Sequence, residues 1–182
     1  MIAALLRTRR SVAALEFALL APTFVMVFAG VTDIGFVLYR WSELEQSLAL
    51  GANYVLMNKT QVNASDGQTL ANHVATIVST SNPDMSANAT VVVNNGPTAT
   101  VTNGGTPSSS GTAANASSYY CLTGAPGSWA WGTAYTDNTH TCTDNSQSGQ
   151  FVTITISYTY TPFFNYGFVN SAMSDGAVIQ AN

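Results

Sequence analysis

Between Glu16 and Asp33 lie sixteen consecutive residues without a charge, inside an apolar stretch that runs from Ser11 to Tyr39, SVAALEFALLAPTFVMVFAGVTDIGFVLY. Backbone N–H and C=O groups in lipid must be satisfied within the segment itself, so a stretch of this kind has to be a helix. The twenty-seven residues from Val12 to Leu38 make a helix about 40 Å long. A hydrocarbon core of roughly 30 Å needs about twenty residues. One membrane-crossing helix is therefore expected. Arg7, Arg9 and Arg10 stand just before it, and the next basic residue is Arg40. The positive-inside rule then puts residues 1–11 in the cytoplasm and everything beyond about residue 40 outside it.

Three residues are poor choices for a passive tether. Pro22 removes a backbone hydrogen bond from the helix. Glu16 and Asp33 are carboxylates in an apolar run, where each costs a few kcal/mol unless it has a partner or reaches an interface. Asp33 is expected at the outer interface. Glu16 either snorkels toward the headgroups or has a function. A cleaved secretory signal peptide is the competing reading, with Val27-Phe28-Ala29 as its small-residue site. Glu16 and Pro22 inside the apolar region, and a helical pattern that runs through the site, speak against it.

Beyond the membrane the helix is expected to continue to about residue 58. Val37, Trp41, Leu44, Leu48, Gly51 and Val55 recur at alternating spacings of four and three, a seam of nearly heptad period. Such a seam packs either on the chain's own domain or against helices of other copies, and the spacing does not choose between them.

The run Ala13-Ala14-Leu15-Glu16-Phe17-Ala18-Leu19-Leu20-Ala21-Pro22, followed by Gly30, Asp33-Ile34-Gly35 and Gly51-Ala52-Asn53-Tyr54, resembles the TadE-like family, minor pseudopilins of the tight-adherence (Tad or Flp) pilus system. The acid, Phe17 and Pro22 fall at the family's spacings. Asn53 stands where the family pattern has arginine, and Ser11 where members usually have glycine. The resemblance covers residues 11–56, about a quarter of the chain. It implies cleavage by a prepilin peptidase between Ser11 and Val12, which would make Glu16 the fifth residue of the mature chain. It also implies that Glu16, with Phe17 and Pro22 beside it, acts in assembly by neutralising the first-residue amine of a neighbouring subunit. The implied partners are the lipid bilayer, other pilin or pseudopilin subunits, the peptidase and the pilus assembly platform, and the implied location is the bacterial inner membrane. No cofactor is implied.

The remaining residues, 59–182, are expected to form an exported α+β domain. Only 8% of the chain is charged, against about 25% in soluble domains, so Asn, Ser, Thr and Gly must carry its solubility. No Lys or Arg follows Lys59, and a surface without cations cannot hold a phosphate backbone, so nucleic acid is excluded as a partner. Ser65 and Gln68 fit a capping box before a short amphipathic helix carrying Leu70, Val74, Ile77 and Val78 and ending before Pro83. His73 lies in that helix alone and reads as an ordinary packed or solvent-facing histidine.

Residues 89–93 and 98–102 flank Asn94-Asn95-Gly96-Pro97, a hairpin signal. Residues 103–118 read as a low-complexity loop too polar to pack. Residues 151–161 alternate cleanly and form the strongest strand, with Val152, Ile154, Ile156, Tyr158 and Tyr160 on one face. A long N-terminal helix packed on a small antiparallel sheet, the pilin-like layout, is the expected fold. Cys121 and Cys142 enclose a loop carrying Trp129, Trp131 and Tyr135. The pair reads as a disulfide in an oxidising compartment. The metal alternative, with His140 and Asp144, lacks C-x-x-C spacing. No G-x-S-x-G, H-E-x-x-H or phosphate-binding glycine loop is present, so an enzyme is not expected.

Overall fold

The computed structural model describes residues 2–163 and 172–182, with side chains from residue 14 onward. Helix α1 spans Ile2–Met57 and continues through Pro22. Helix α2 is Gly67–Thr80. The strands are β1 (Asn88–Val93), β2 (Thr98–Val101), β3 (Ser108–Ser110), β4 (Leu122–Thr123), β5 (Ala130–Trp131), β6 (Phe151–Thr159) and β7 (Ala172–Gln180). The fold is α+β. Two compact units are present: residues 1–39 with 161–171, and residues 40–160 with 172–182.

The second unit is built on a five-stranded antiparallel sheet in the order β3-β2-β1-β6-β7. Alternation in β1, β2 and β6 sends Ala89, Val91, Val93, Ala99, Val101, Val152, Ile154 and Ile156 to one face, where all are essentially inaccessible. Threonines alternate with them and point the other way. Leu70, Val74 and Val78 of α2 and Leu44, Leu48 and Val55 of α1 complete this core. Burying a Val, Leu or Ile side chain contributes about 1.5–3 kcal/mol, so this one face supplies most of the hydrophobic stabilisation of the unit.

The hairpin between β1 and β2 turns at Asn94 and Asn95, whose φ angles are 51° and 55°. The Gly96 amide donates to the Val93 carbonyl at 2.9 Å. Positive φ at both central residues is the type I′ geometry that suits strand twist.

Two local expectations are corrected, and one long strand is added. Ser65 does not cap α2. Asn63 Oδ1 accepts the amides of Ser65 and Asp66 at 2.8 and 2.9 Å, and Gln68 instead donates to the Thr98 carbonyl at 3.1 Å. Asn63 thus forms an Asx turn just before α2, whose N-cap residue, Asp66, makes no side-chain capping bond. Residues 103–118 are not an unpacked loop. Ser108–Ser110 pair with β2, a short 3-10 helix covers Ala113–Ser117, and its Ala116 is buried. Serine side chains do not prevent strand pairing, because the ladder is made by the backbone. Finally, β7 gave no periodic signal, yet it pairs with β6 along nine residues.

Candidate functional site

The expected functional residues lie along α1. Ser11 and Val12 fall within its helical backbone, but their side chains lie outside the described residues. Glu16 is exposed, has no ion-pair partner among the described residues, and is flanked by exposed Leu15, Phe17 (72% exposed), Leu19 and Leu20. Pro22 is also exposed. The helix runs unbroken through Val27-Phe28-Ala29. Phe24, Val25, Met26, Val27, Phe28 and Val31 expose most of their surface. A helix that is apolar and uncovered on nearly every side is built for a non-aqueous solvent, and α1 is long and apolar enough to cross a membrane.

Ala29 and Asp33 break that pattern within the first unit, at 5% and 1% exposed. Asp33 Oδ1 accepts the Phe163 amide at 2.9 Å, and the Phe163 ring lies 5.6 Å from Phe36. Beside them runs an apolar groove of about 470 Å³ lined by Val25, Phe28, Ala29, Thr32, Asp33, Phe36 and Phe163. Asp33 is thus covered by protein. The acid expected at the outer interface is one with a protein cover, for which the aromatic, uncharged run after Tyr160 is the signal in the sequence.

In the second unit the seam residues Leu44, Leu48, Gly51 and Val55 are buried in the chain's own core, while Val37, in the first unit, and Trp41 are half-buried. Gly51 sets the closeness of the approach. A Cβ there would stand 2.4 Å from Val78 Cγ2 and 3.3 Å from Ile154 Cδ1, so only glycine lets α1 sit this deep.

Polar contacts flank the seam. Arg40 pairs with Glu43 at 2.6 Å, and this hydrogen bond holds the guanidinium pKa above its ordinary value. Asn82 Nδ2 donates to the Glu43 carbonyl at 3.1 Å and to Ser47 Oγ at 3.0 Å. Tyr54 and His73 share a hydrogen bond at 3.1 Å.

Cys121 and Cys142 are joined as a disulfide with Cα atoms 5.6 Å apart. The loop they close carries the small hairpin of β4 and β5. Trp131 meets Tyr120 edge-on at 5.7 Å, and Tyr135 stacks on His140 at 3.8 Å. Trp129 Nε1 is buried with no hydrogen-bond partner among the described residues. Asp137 and Asp144 each bend the loop on themselves. Asp137 accepts the hydroxyl and amide of Thr139, Asp144 those of Ser146, and these bonds hold both carboxyls below the ordinary range. With both thiols in the disulfide, no cluster of three or more metal-ligating side chains forms among the described residues.

Residues 12–53 match the family described as TadE-like protein. The TadE-like segment starts at Val12 and takes in Glu16, Phe17, Pro22, Asp33 and the seam as far as Gly51. It leaves the sheet and the disulfide loop unmatched. No curated protein and no solved structure matches the chain significantly. The TadE-like segment on an exposed apolar helix supports a membrane protein associated with a Tad-type pilus, with one candidate membrane-crossing helix among the described residues.

Proposed function

We propose that this protein is a minor pseudopilin that helps to initiate or tip a Tad-type pilus, acting by helix packing and not by catalysis. The observation that carries the reading is the position of Glu16. It is the fifth residue of a TadE-like segment that begins at Val12, and it is exposed on an apolar helix. Cleavage between Ser11 and Val12 frees an amine near the membrane boundary, one helical turn from the carboxylate of residue 16. An amine and a carboxylate attract far more strongly in low dielectric than in water, and either alone there is costly. Glu16 of one subunit and the Val12 amine of the next therefore draw the helices into register. The prepilin peptidase, neighbouring pilin-type subunits and the assembly platform are the partners this role requires. The orientation that goes with it has residues 1–11 cytoplasmic and the sheet unit outside.

Glu16→Gln keeps the shape and removes the charge. We expect piliation and surface adhesion to collapse while the protein persists in the membrane at wild-type level. Normal piliation by this variant would sink the assembly role. N-terminal sequencing of the native protein should begin at Val12. An intact Met1 would make α1 a plain anchor, and a start at Gly30 a signal peptide.

A second reading has support in the disulfide loop, where Trp129 keeps a buried indole N–H without a partner among the described residues. In it, the protein is an anchored binder that uses this loop to contact a surface or partner. Such a binder tolerates Glu16→Gln.

A further inference from the structure

We propose that the chain touches the bilayer twice: besides α1, the β6–β7 connection seats an aromatic foot at Phe163 in the interface at the far end of the span, tethered to α1 by Asp33. This rests on α1 lying in the membrane but not on its role in a pilus.

The first observation is connectivity. Residues 161–163, which lead out of β6 toward its sheet neighbour β7, belong to the compact unit of the apolar helix. A hairpin connection needs only a few residues, and twelve separate Thr159 from Ala172, more than linking the strands requires.

The second is an inverted pattern of exposure. Where the connection meets α1, the carboxylate is inside and the phenyl rings are outside. Asp33 is 1% exposed, whereas Phe163 is 71% and Phe36 42% exposed. Against water this arrangement loses twice, by desolvating a carboxylate and by wetting two apolar rings. Against lipid both signs reverse. The acid is withdrawn from hydrocarbon with a backbone N–H donated to it at 2.9 Å, and the aromatic pair, 5.6 Å between centroids, faces acyl chains.

Depth agrees. With Val12 at the near boundary, Asp33 lies about 31 Å along the helix, the thickness of the hydrocarbon core. Phe, like Trp and Leu, is among the side chains that interfacial segments bury at the headgroup–acyl boundary. The groove of about 470 Å³ runs from Phe163 back along Val25, Phe28 and Ala29, an apolar track for an acyl chain. Finally, no Asp, Glu, Lys, Arg or His occurs between Asp144 and Asp175, so the connection brings no charge of its own to oppose insertion.

The test uses the full chain in phosphatidylethanolamine–phosphatidylglycerol vesicles doped with phosphatidylcholine brominated near either the glycerol or the methyl end of its chains. Phe163→Trp adds emission to that of the three native tryptophans. The added emission should be quenched severalfold more by glycerol-end bromine than by methyl-end bromine, and little by aqueous iodide. Quenching by iodide and not by bromine would place the segment in water. Quenching by neither would mean that a second copy covers it. Either result overturns the foot.

Phe24→Trp reports on the middle of the span. If it is bromine-quenched while Phe163→Trp is not, the foot fails and the anchor stands. If neither is bromine-quenched, the anchor itself fails. Adding Asp33→Leu to Phe163→Trp should raise iodide access severalfold, and Asp33→Asn, which still accepts the amide, should not. Equal behaviour of the two variants overturns the tether.

Discussion

Asn94 does two jobs with one side chain. Its φ of 51° is a conformation that costs most residues energy and that asparagine tolerates. Its amide group, fully buried, donates from Nδ2 to the Ala116 carbonyl at 2.9 Å and to that of Ser118, and Oδ1 accepts the Phe151 amide at 3.3 Å. The turn that reverses β1 thus also pins the polar 103–118 segment and the start of β6. Asn94→Ala should cost on the order of 3 kcal/mol, from unsatisfied buried groups and an unsuitable φ. Asn94→Gly should cost less, since it relieves only the second, and thermal unfolding of the purified chain measures both. Unchanged melting for Asn94→Ala would show the clamp to be idle. The turn itself was legible in Asn94-Asn95-Gly96-Pro97. The clamp was not, because its partners stand more than twenty residues away and side-chain amides carry no periodic signal. The same limit explains the Asx turn at Asn63, which stands before α2 where a Ser65 cap is expected.

At the scale of elements, apolar spacing carried most of the information. It located α1, α2, the β1–β2 hairpin and β6, because each buries a face whose period survives in the sequence. The elements it missed lack such a face. β3 is three serines, all exposed. In β7, Asp175 and Gly176 interrupt the middle, and the Asp175 carboxylate takes the Gly176 amide at 2.7 Å. That edge strand is held by pairing with β6 and not by propensity. The α1 seam was legible as a stripe but not as to what covers it. Within the second unit Leu44, Leu48, Gly51 and Val55 meet the chain's own core. Gly51→Ala tests how tight that contact is. A helix favours alanine by about 0.5–1 kcal/mol, but a methyl 2.4 Å from Val78 Cγ2 forces repacking that costs typically 1–3 kcal/mol. The net change should be destabilising, seen as a lower melting temperature of the full chain. A gain in stability would show that α2 yields freely.

For the whole molecule, charge placement and one motif set the frame. Three arginines before an uncharged run predict topology, and the E-F-A-L-x-x-P run led to the TadE-like segment. The sheet unit carries no comparable signature, so what it binds was not legible. Topology has a chemical readout. If the sheet unit is exported, Cys121 and Cys142 are oxidised in native membranes. Maleimide applied under denaturing conditions should then label neither thiol until a reductant is added. Labelling without reductant would put the unit in a reducing compartment and overturn the orientation. The disulfide has a further consequence, for how such a protein varies between lineages. Its two Cα atoms stay 5.6 Å apart whatever the residues between them encode. The stretch is tied to the unit elsewhere too, by the Tyr119–Tyr135 backbone pair and by Pro126 beside Gly176, so changes at its exposed positions leave the end points in place while exchange of the whole stretch would also strip those ties.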